Sequence, residues 1–326
     1  MILRNPTEPV TTPMLVKEDR SLVLTPQTNH AIEPEPAEVQ KNGTRFFRRL
    51  FRHRLALVGF IVLAVMVLAS VFAPLITRQS PTTPNLFQTL LPPSPQYWLG
   101  TDELGRDVFA RLLYGGRVSF VVGLFSTAIA TVIGTVYGAV SGFFGGIIDR
   151  VMMRFVDLIL SFPAIFLLLV VLNLLGGQAS VAIMVLYLGF FGWGGLARIV
   201  RSQVLSLKQQ EFVEEARALG AGRLRLVFRH VLPGAMAPVW VTAAFGIGGN
   251  MLAEASLDFL GFGLSPAIPS WGNMLSSAQN YIVTNPVMIL APGLAITIAV
   301  FAINFVGDGL RDALDPRSTA GMQRIG

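Results

Sequence analysis

The sequence contains no cysteine and only three histidines. The absence of cysteine excludes disulfide bonds, thiolate catalysis and cysteine metal sites. The histidines, His30, His53 and His230, are far apart in the chain, which argues against a histidine metal cluster. We therefore predict that this chain has no metal site.

Charge is also scarce. Charged residues make up 13% of the chain and hydrophobic residues 52%, with a mean hydropathy of +0.60. This balance is too apolar for an ordinary soluble domain and indicates an all-α integral membrane protein. The net charge of +6 could suggest a nucleic-acid partner, but Lys and Arg cluster beside the apolar runs. The positive-inside rule explains that clustering, so we predict no binding to nucleic acid.

Motifs that bind nucleotide phosphates are missing as well. The three lysines are followed by Glu18, Asn42 and Gln209, so the chain has no G-K-[ST] phosphate loop, and it has no G-x-G-x-x-G. No serine, histidine and acidic residue stand in a nucleophile elbow or a similar context. We predict that the chain is not an enzyme and binds no cofactor.

Six apolar runs are each compatible with a membrane-spanning helix. The first contains 22 residues and would rise about 33 Å, against a hydrocarbon core of about 30 Å. It starts too far from the N-terminus and is too long for a cleaved signal peptide. The predicted spans are 55–76, 118–142, 155–175, 179–197, 235–257 and 287–306.

The positive charges predict the orientation. With the N-terminus inside, only four of the 25 Lys and Arg lie outside, and the loop 261–286 has none. Both termini are then cytoplasmic. Residues 1–42, rich in proline and glutamate and poor in aromatics, are predicted to be a disordered cytoplasmic tail. Residues 43–54 form a basic juxtamembrane segment, 55–317 the membrane domain, and 318–326 a C-terminal cytoplasmic tail.

The charged segment 211–233, here called the elbow, interrupts the apolar spans. Nine Lys, Arg and Glu between positions 201 and 229 would cost more than about 20 kcal/mol at the bilayer centre, so the elbow lies outside the hydrocarbon. Gly220 and Gly222 supply a turn between two helices. The helices carry apolar stripes with helical spacing, one of Phe212, Ala216 and Leu219, the other of Leu224, Val227, Phe228 and Val231. The pattern is typical of a docking helix-turn-helix.

The elbow resembles the EAA loop of bacterial ATP-binding-cassette importer permeases. The residues that match its order and spacing are Glu214, Ala216, Gly220, Leu232 and Pro233, whereas Glu215 and His230 depart from it. Four further stretches resemble the C-type subunits of the dipeptide, oligopeptide and nickel permeases: 98–119, 148–166, 256–275 and 305–317. The resemblance covers roughly residues 45–317.

This resemblance implies the type I importer permease fold, with six transmembrane helices and a cytoplasmic coupling helix-turn-helix. It implies a subunit that translocates dipeptides or oligopeptides across the bacterial inner membrane, with ATP bound and hydrolysed by partner subunits. The implied partners are a homologous B-type permease, two ATPases docked on the elbow, and an extracytoplasmic substrate-binding protein. Nickel and glutathione importers share the same signatures. A channel or secondary transporter without an ATPase is the alternative from another class.

Three further residue sets are candidates. Small residues recur every four positions in the second span and predict close helix packing, with lining of the substrate path as the alternative: Ser126, Ala130, Gly134, Gly138 and Gly142. Arg154 and Asp157 are three apart and can pair on one helix face. Glu254 and Asp258, near the outer end of the fifth span, could meet the amino group of a peptide or serve the helix end.

The outer segment 77–116 opens with five prolines, which exclude regular helix there. Thr101 is then expected to cap a short helix, with Asp102 and Glu103 in its first turn.

Overall fold

The computed structural model describes residues 53–174 and 179–314. The predicted tails, 1–42 and 318–326, and most of the basic segment 43–54 lie outside the described residues. Within the described ranges there are no β-strands, which confirms the all-α prediction. The helices of eight residues or more are α1 (Arg54–Val71), α2 (Val108–Phe144), α3 (Gly146–Ser161), α4 (Ala164–Leu174), α5 (Val181–Gly192), α6 (Gly194–Leu207), α7 (Glu211–Ala218), α8 (Met236–Phe259), α9 (Trp271–Ala278) and α10 (Val287–Leu314).

Five helical stretches in the described residues are long and apolar enough to cross a membrane, and a bent pair can form a sixth span. Helices suit this role because every backbone polar group is paired within the segment. The five stretches are Arg54–Val71, Val108–Phe144, Val181–Leu207, Arg223–Phe259 and Val287–Leu314.

The bent pair replaces the continuous third span that the sequence predicts at 155–175. Helices α3 and α4 meet at an angle of 82°, with Phe162 extended between them at φ −86° and ψ 131°. Pro163 explains the break, because proline has no N–H to donate and disfavours helical backbone at the residue before it. The apolar pattern alone conceals this bend.

Helix α2 is central and contacts α1, α5, α6 and α8. The small residues predicted for close packing face α5 and α6, which follow one another across Trp193. A Cβ added at Gly134 would lie 2.9 Å from the Trp193 carbonyl oxygen, and one at Gly142 would lie 2.8 Å from that of Arg201. From Gly134 to Gly142 of α2, the residue in contact advances from Trp193 to Arg201. Residue numbers thus rise in the same direction in both segments, so α2 and α6 run parallel with their backbones nearly touching.

On the other side of α2, helices α1, α8 and α10 pack together. A Cβ added at Gly59 of α1 would lie 2.6 Å from the Ala302 carbonyl oxygen of α10. Trp271 of α9 is buried among these helices, and its Nε1 donates to the Leu112 carbonyl at 2.8 Å. The short helix α9 thereby fixes the end of the bundle opposite the elbow.

The expected helix at Thr101 is wrong. Thr101 instead ties two loops together, donating to the Gln88 carbonyl at 2.5 Å and accepting the Leu91 N–H at 2.8 Å. Gly105, at φ +73°, turns the chain in a conformation that other residues rarely adopt, and so interrupts any helix begun at Thr101. The cap of α2 is Asp107, which accepts the Phe109 and Ala110 N–H groups. Burial raises the pKa of the Asp107 carboxyl, and these two hydrogen bonds oppose the rise.

Candidate functional site

The elbow begins with α7 and turns at Gly220. The Ala221 N–H donates to the Ala216 carbonyl at 3.1 Å, closing the helix end, while Gly220 lies at φ +83°. Glycine is favoured there because a left-handed backbone strains residues that carry a Cβ. Apart from Gly220 and its two chain neighbours, no described residue has an atom within 4 Å of the position that a Cβ of Gly220 would occupy. The space above Gly220 is therefore open.

The second half of the elbow departs from the predicted regular helix. One α-turn, Arg223–Arg225, leads into a π-helix, Leu226–Val231, and then a 3₁₀ turn, Leu232–Ala235. Pro233 contributes to this change because it cannot donate to the Arg229 carbonyl as an α-helix requires. A π-helix has more residues per turn than an α-helix, and this changes which residues of the elbow face the helix bundle.

The buried face of the elbow differs from the predicted stripes. Val213 is fully buried, Ala216 is partly buried, and Leu232 packs at the edge of the same cluster. The buried residues that share this cluster are Ala139, Leu196, Val200, Val204, Leu226, Val227, Val231, Ala235 and Val239. Phe212 and Phe228 are exposed, as are Leu219 and Leu224, which expose 89% and 66% of their surface. Large exposed apolar residues on a well-packed base are typical of an interaction surface.

The charged residues predicted in the elbow lie at its surface. Glu214 and Arg217 form an exposed ion pair, with 3.6 Å between Oε1 and Nη1. Pro233 is exposed beside Leu232. The five predicted docking residues thus belong to one continuous segment, and the side chains of Glu214 and Pro233 are accessible to a partner.

A charge cluster joins the elbow to the bundle. Arg201 of α6 donates from Nε and Nη2 to the two carboxylate oxygens of Asp149 at 2.5 and 2.6 Å. Lys208, just before the elbow, donates from Nζ to the Gly142 carbonyl at 2.8 Å, near the end of α2. Sequence analysis missed these contacts, because they join residues more than 50 positions apart. The signal in the sequence that could have found the ion pair is the presence of opposite charges at the ends of the predicted spans.

The predicted Arg154–Asp157 pair is not the one that forms. Asp157 accepts from Nη2 of Arg198 at 2.6 Å, with both side chains about half exposed. Helix α6, which carries Arg198, packs against α3 and brings this guanidinium to the carboxylate. The contact between helices therefore replaces the predicted contact along α3.

Glu254 and Asp258 are buried rather than open at an outer mouth, with 0% and 1% of their surface exposed. Asp258 accepts the Ser270 hydroxyl at 2.5 Å and the Leu264 N–H at 2.6 Å, so its carboxylate holds the loop between α8 and α9. Glu254 accepts the Ser119 hydroxyl of α2 at 3.2 Å. The arrangement agrees with the helix-end role and gives a passing peptide no access in this conformation.

Comparison with known proteins identifies the family. The family model described as binding-protein-dependent transport system inner membrane component matches residues 134–320, which is more than half of the chain. The model of the N-terminal TM domain of oligopeptide transport permease C matches residues 43–93. The chain belongs to the binding-protein-dependent transport permeases.

Several relatives of this permease are similar over most of their length. The dipeptide transport system permease protein DppC of Alkalihalophilus pseudofirmus is 38% identical over 298 residues, covering 90% of this chain and 96% of the relative. The oligopeptide transport system permease protein OppC of Bacillus subtilis is 39% identical, covering 82% and 88%. The glutathione transport system permease protein GsiD of Shigella flexneri is 39% identical, covering 87% and 93%.

The elbow of this permease lies inside the family match at 134–320, as do Asp149, Arg201, Glu254 and Asp258. Helix α1 lies inside the match to the N-terminal domain. The membership confirms the resemblance predicted from the sequence. It makes this chain a multi-pass inner membrane transport subunit.

Proposed function

We propose that this chain is the C-type permease subunit of a peptide importer and that its elbow docks an ATPase subunit. One observation carries the proposal: Leu219 and Leu224 project from a segment whose other face is buried in the bundle. Transfer of such side chains from water to a protein interface is favourable by roughly 1.5 to 3 kcal/mol each. The open space at Gly220 admits a close approach by the partner.

The connections of the elbow suggest how ATP drives transport. ATP would bind and be hydrolysed on two partner ATPases, and their closure would displace the elbow. The Lys208 to Gly142 bond and the Asp149–Arg201 pair would pass this displacement to α2 and α3. The spans of this chain and of a homologous B-type permease would then rock between inward-open and outward-open states.

The orientation follows from the positive charges. We place both termini and the elbow in the cytoplasm, where ATP is available, and Thr101 and α9 on the outer side. An extracytoplasmic binding protein would deliver the substrate there. In this arrangement the chain needs no nucleotide or cofactor of its own.

Introduction of a charge into the exposed apolar surface of the elbow tests the docking. Leu219→Glu should reduce co-purification of the ATPase subunits at least about tenfold, because a hot-spot side chain contributes more than 1.4 kcal/mol. Leu86→Glu is a matched control, since Leu86 is 70% exposed in the outer segment. Glu214→Lys and Gly220→Trp test the charge and the open space separately. Unchanged ATPase binding in Leu219→Glu, Glu214→Lys and Gly220→Trp together would contradict the docking.

The substrate proposal draws on the relatives. Dipeptides and oligopeptides are the first candidate substrates, because two relatives that are named for them match most of this chain. Glutathione is the second candidate, because the glutathione permease is equally similar. A nickel complex is the remaining family alternative. Calorimetry of the cognate binding protein with a dipeptide, a longer peptide, glutathione and a nickel complex separates these candidates.

A channel or secondary transporter would not need the ATPase. We expect uptake to stop when the partner ATPases are replaced by variants that bind but do not hydrolyse ATP. Uptake that continues in those cells and follows the ion gradient would instead support the ATPase-independent class.

A further inference from the structure

A groove of about 630 Å³ lies between α1, α2, α8 and α10, away from the elbow. Its walls are apolar, with Leu63 and Val67 on one side and Phe120 and Leu124 on another. Arg117 is the one charged residue among those that line it. The groove thus combines an apolar channel with a single positive charge.

No described residue of this chain pairs an acidic group with Arg117. Its Nε and Nη2 donate to the Ser70 and Val71 carbonyls at 2.6 and 2.7 Å, and its guanidinium lies 4.6 Å from the centre of the Tyr114 ring. These partners are dipoles or a ring face and carry no negative charge. None of the ion pairs among the described residues includes Arg117. A cation beside hydrocarbon is costly unless anions or backbone carbonyls meet it, and beyond its two carbonyl partners the Arg117 guanidinium keeps unused donors that an anion can accept.

Two other occupants fit the groove poorly. A peptide would bring backbone N–H and C=O groups that need partners, but apart from Arg117 the polar side chain in the lining is Ser70, which donates to the Met66 carbonyl at 2.9 Å. A helix of a partner subunit is about 10 Å across, whereas the volume of the groove lies within the roughly 300 to 1,000 Å³ of small-ligand pockets.

The geometry points to a bound anionic phospholipid, with its phosphate on Arg117 and an acyl chain in the groove. Ser70, Val71 and Arg117 lie where α1 ends, so the charge is near a membrane boundary. From Val71 to Leu63 the wall follows α1 for about 12 Å toward the bilayer interior. Charge at the boundary and apolar walls inward match the way a phospholipid stands in a leaflet. Guanidinium and phosphate are also well matched as bidentate partners.

Photo-crosslinking in the assembled transporter tests this inference. The complex is reconstituted in nanodiscs that contain phosphatidylglycerol or phosphatidylcholine with a photoactivatable acyl chain, and labelled peptides are mapped by mass spectrometry. We expect the phosphatidylglycerol probe to label α1 and α2 around Val67 and Leu124. Arg117→Gln should lower this labelling about fivefold, the effect of one basic residue near a charged membrane surface.

Two variants sharpen the result. Arg78→Gln removes an exposed arginine that does not line the groove, near the same end of α1, and should leave labelling unchanged. Val121→Trp partly fills the groove while keeping Arg117, and should lower labelling as Arg117→Gln does. Equal labelling by both lipids, or no loss in Arg117→Gln, would overturn the inference. An absence of label on α1 and α2 from either lipid probe would show that lipid does not occupy the groove and would overturn the inference too. ATPase co-purification should not change in Arg117→Gln, so this test is independent of the docking proposal.

Discussion

Asp149 and Arg201 join α3 to α6 through two parallel hydrogen bonds of 2.5 and 2.6 Å, close to the point where α6 leads into the elbow. The Ser141 hydroxyl of α2 also donates to the same carboxylate at 2.5 Å. Three helices therefore meet at one acidic residue. A planar guanidinium matches two carboxylate oxygens in a way that an ammonium cannot.

Arg201→Lys is expected to destabilise the protein by about 1 to 3 kcal/mol, because it keeps the charge and loses the paired geometry. The measurement is the midpoint of thermal unfolding in detergent. Arg198→Lys is the matched control, since its pair with Asp157 is about half exposed and worth about 0 to 1 kcal/mol. Equal shifts for the two variants would show that the Asp149 pair is no stronger than a surface pair.

Gly134→Ala is expected to lower stability by about 1 to 3 kcal/mol, because its Cβ would press on the Trp193 carbonyl oxygen and force α2 away from α6. Gly249→Ala is the control. Gly249 lies inside α8, and outside its own stretch of helix no described residue has an atom within 4 Å of its Cβ position, so alanine there should be neutral or stabilise by up to about 1 kcal/mol. The measurement is the midpoint of thermal unfolding of the two variants in the same detergent. A neutral Gly134→Ala would contradict the close packing.

Asp258→Ala should loosen the loop between α8 and α9, because it leaves the Leu264 N–H and the Ser270 hydroxyl without their acceptor. A spin label at Ala267→Cys, an exposed site in this loop, reports the change as faster motion. The cysteine-free chain makes that label unique. Asp308→Ala, an exposed acidic residue on α10, should leave the spectrum unchanged. If Asp258→Ala also leaves it unchanged, the carboxylate does not hold the loop.

The orientation can be read with the same single-cysteine approach. Leu86→Cys should react with a membrane-impermeant thiol reagent in spheroplasts, whereas Ile147→Cys, on the predicted cytoplasmic side but outside the elbow, should react only after permeabilisation. Both side chains are largely exposed, so differences in burial do not confuse the comparison. The opposite pattern would reverse the orientation inferred from the positive charges.

The sequence predicts the features that depend on composition and local spacing. The apolar runs predict the spanning helices, and the charges of the elbow predict that this segment is surface-exposed. Contacts between residues far apart in the sequence could not be predicted. Asp157 pairs with Arg198 of another helix, and Asp258 accepts a hydrogen bond from Ser270 across a loop. Pro163 was a visible signal for the bend after α3, but the apolar pattern on both sides outweighed it.

The parallel contact of α2 and α6 has a mechanical consequence. At Gly134, Gly138 and Gly142 the backbone and side chains of α6 leave no room for a side chain on α2, so the two helices are held in close contact along this stretch. A push at Leu219 would then travel along α2, whose 37 residues extend about 55 Å to Val108. A displacement of the elbow would in this way reach the far end of α2.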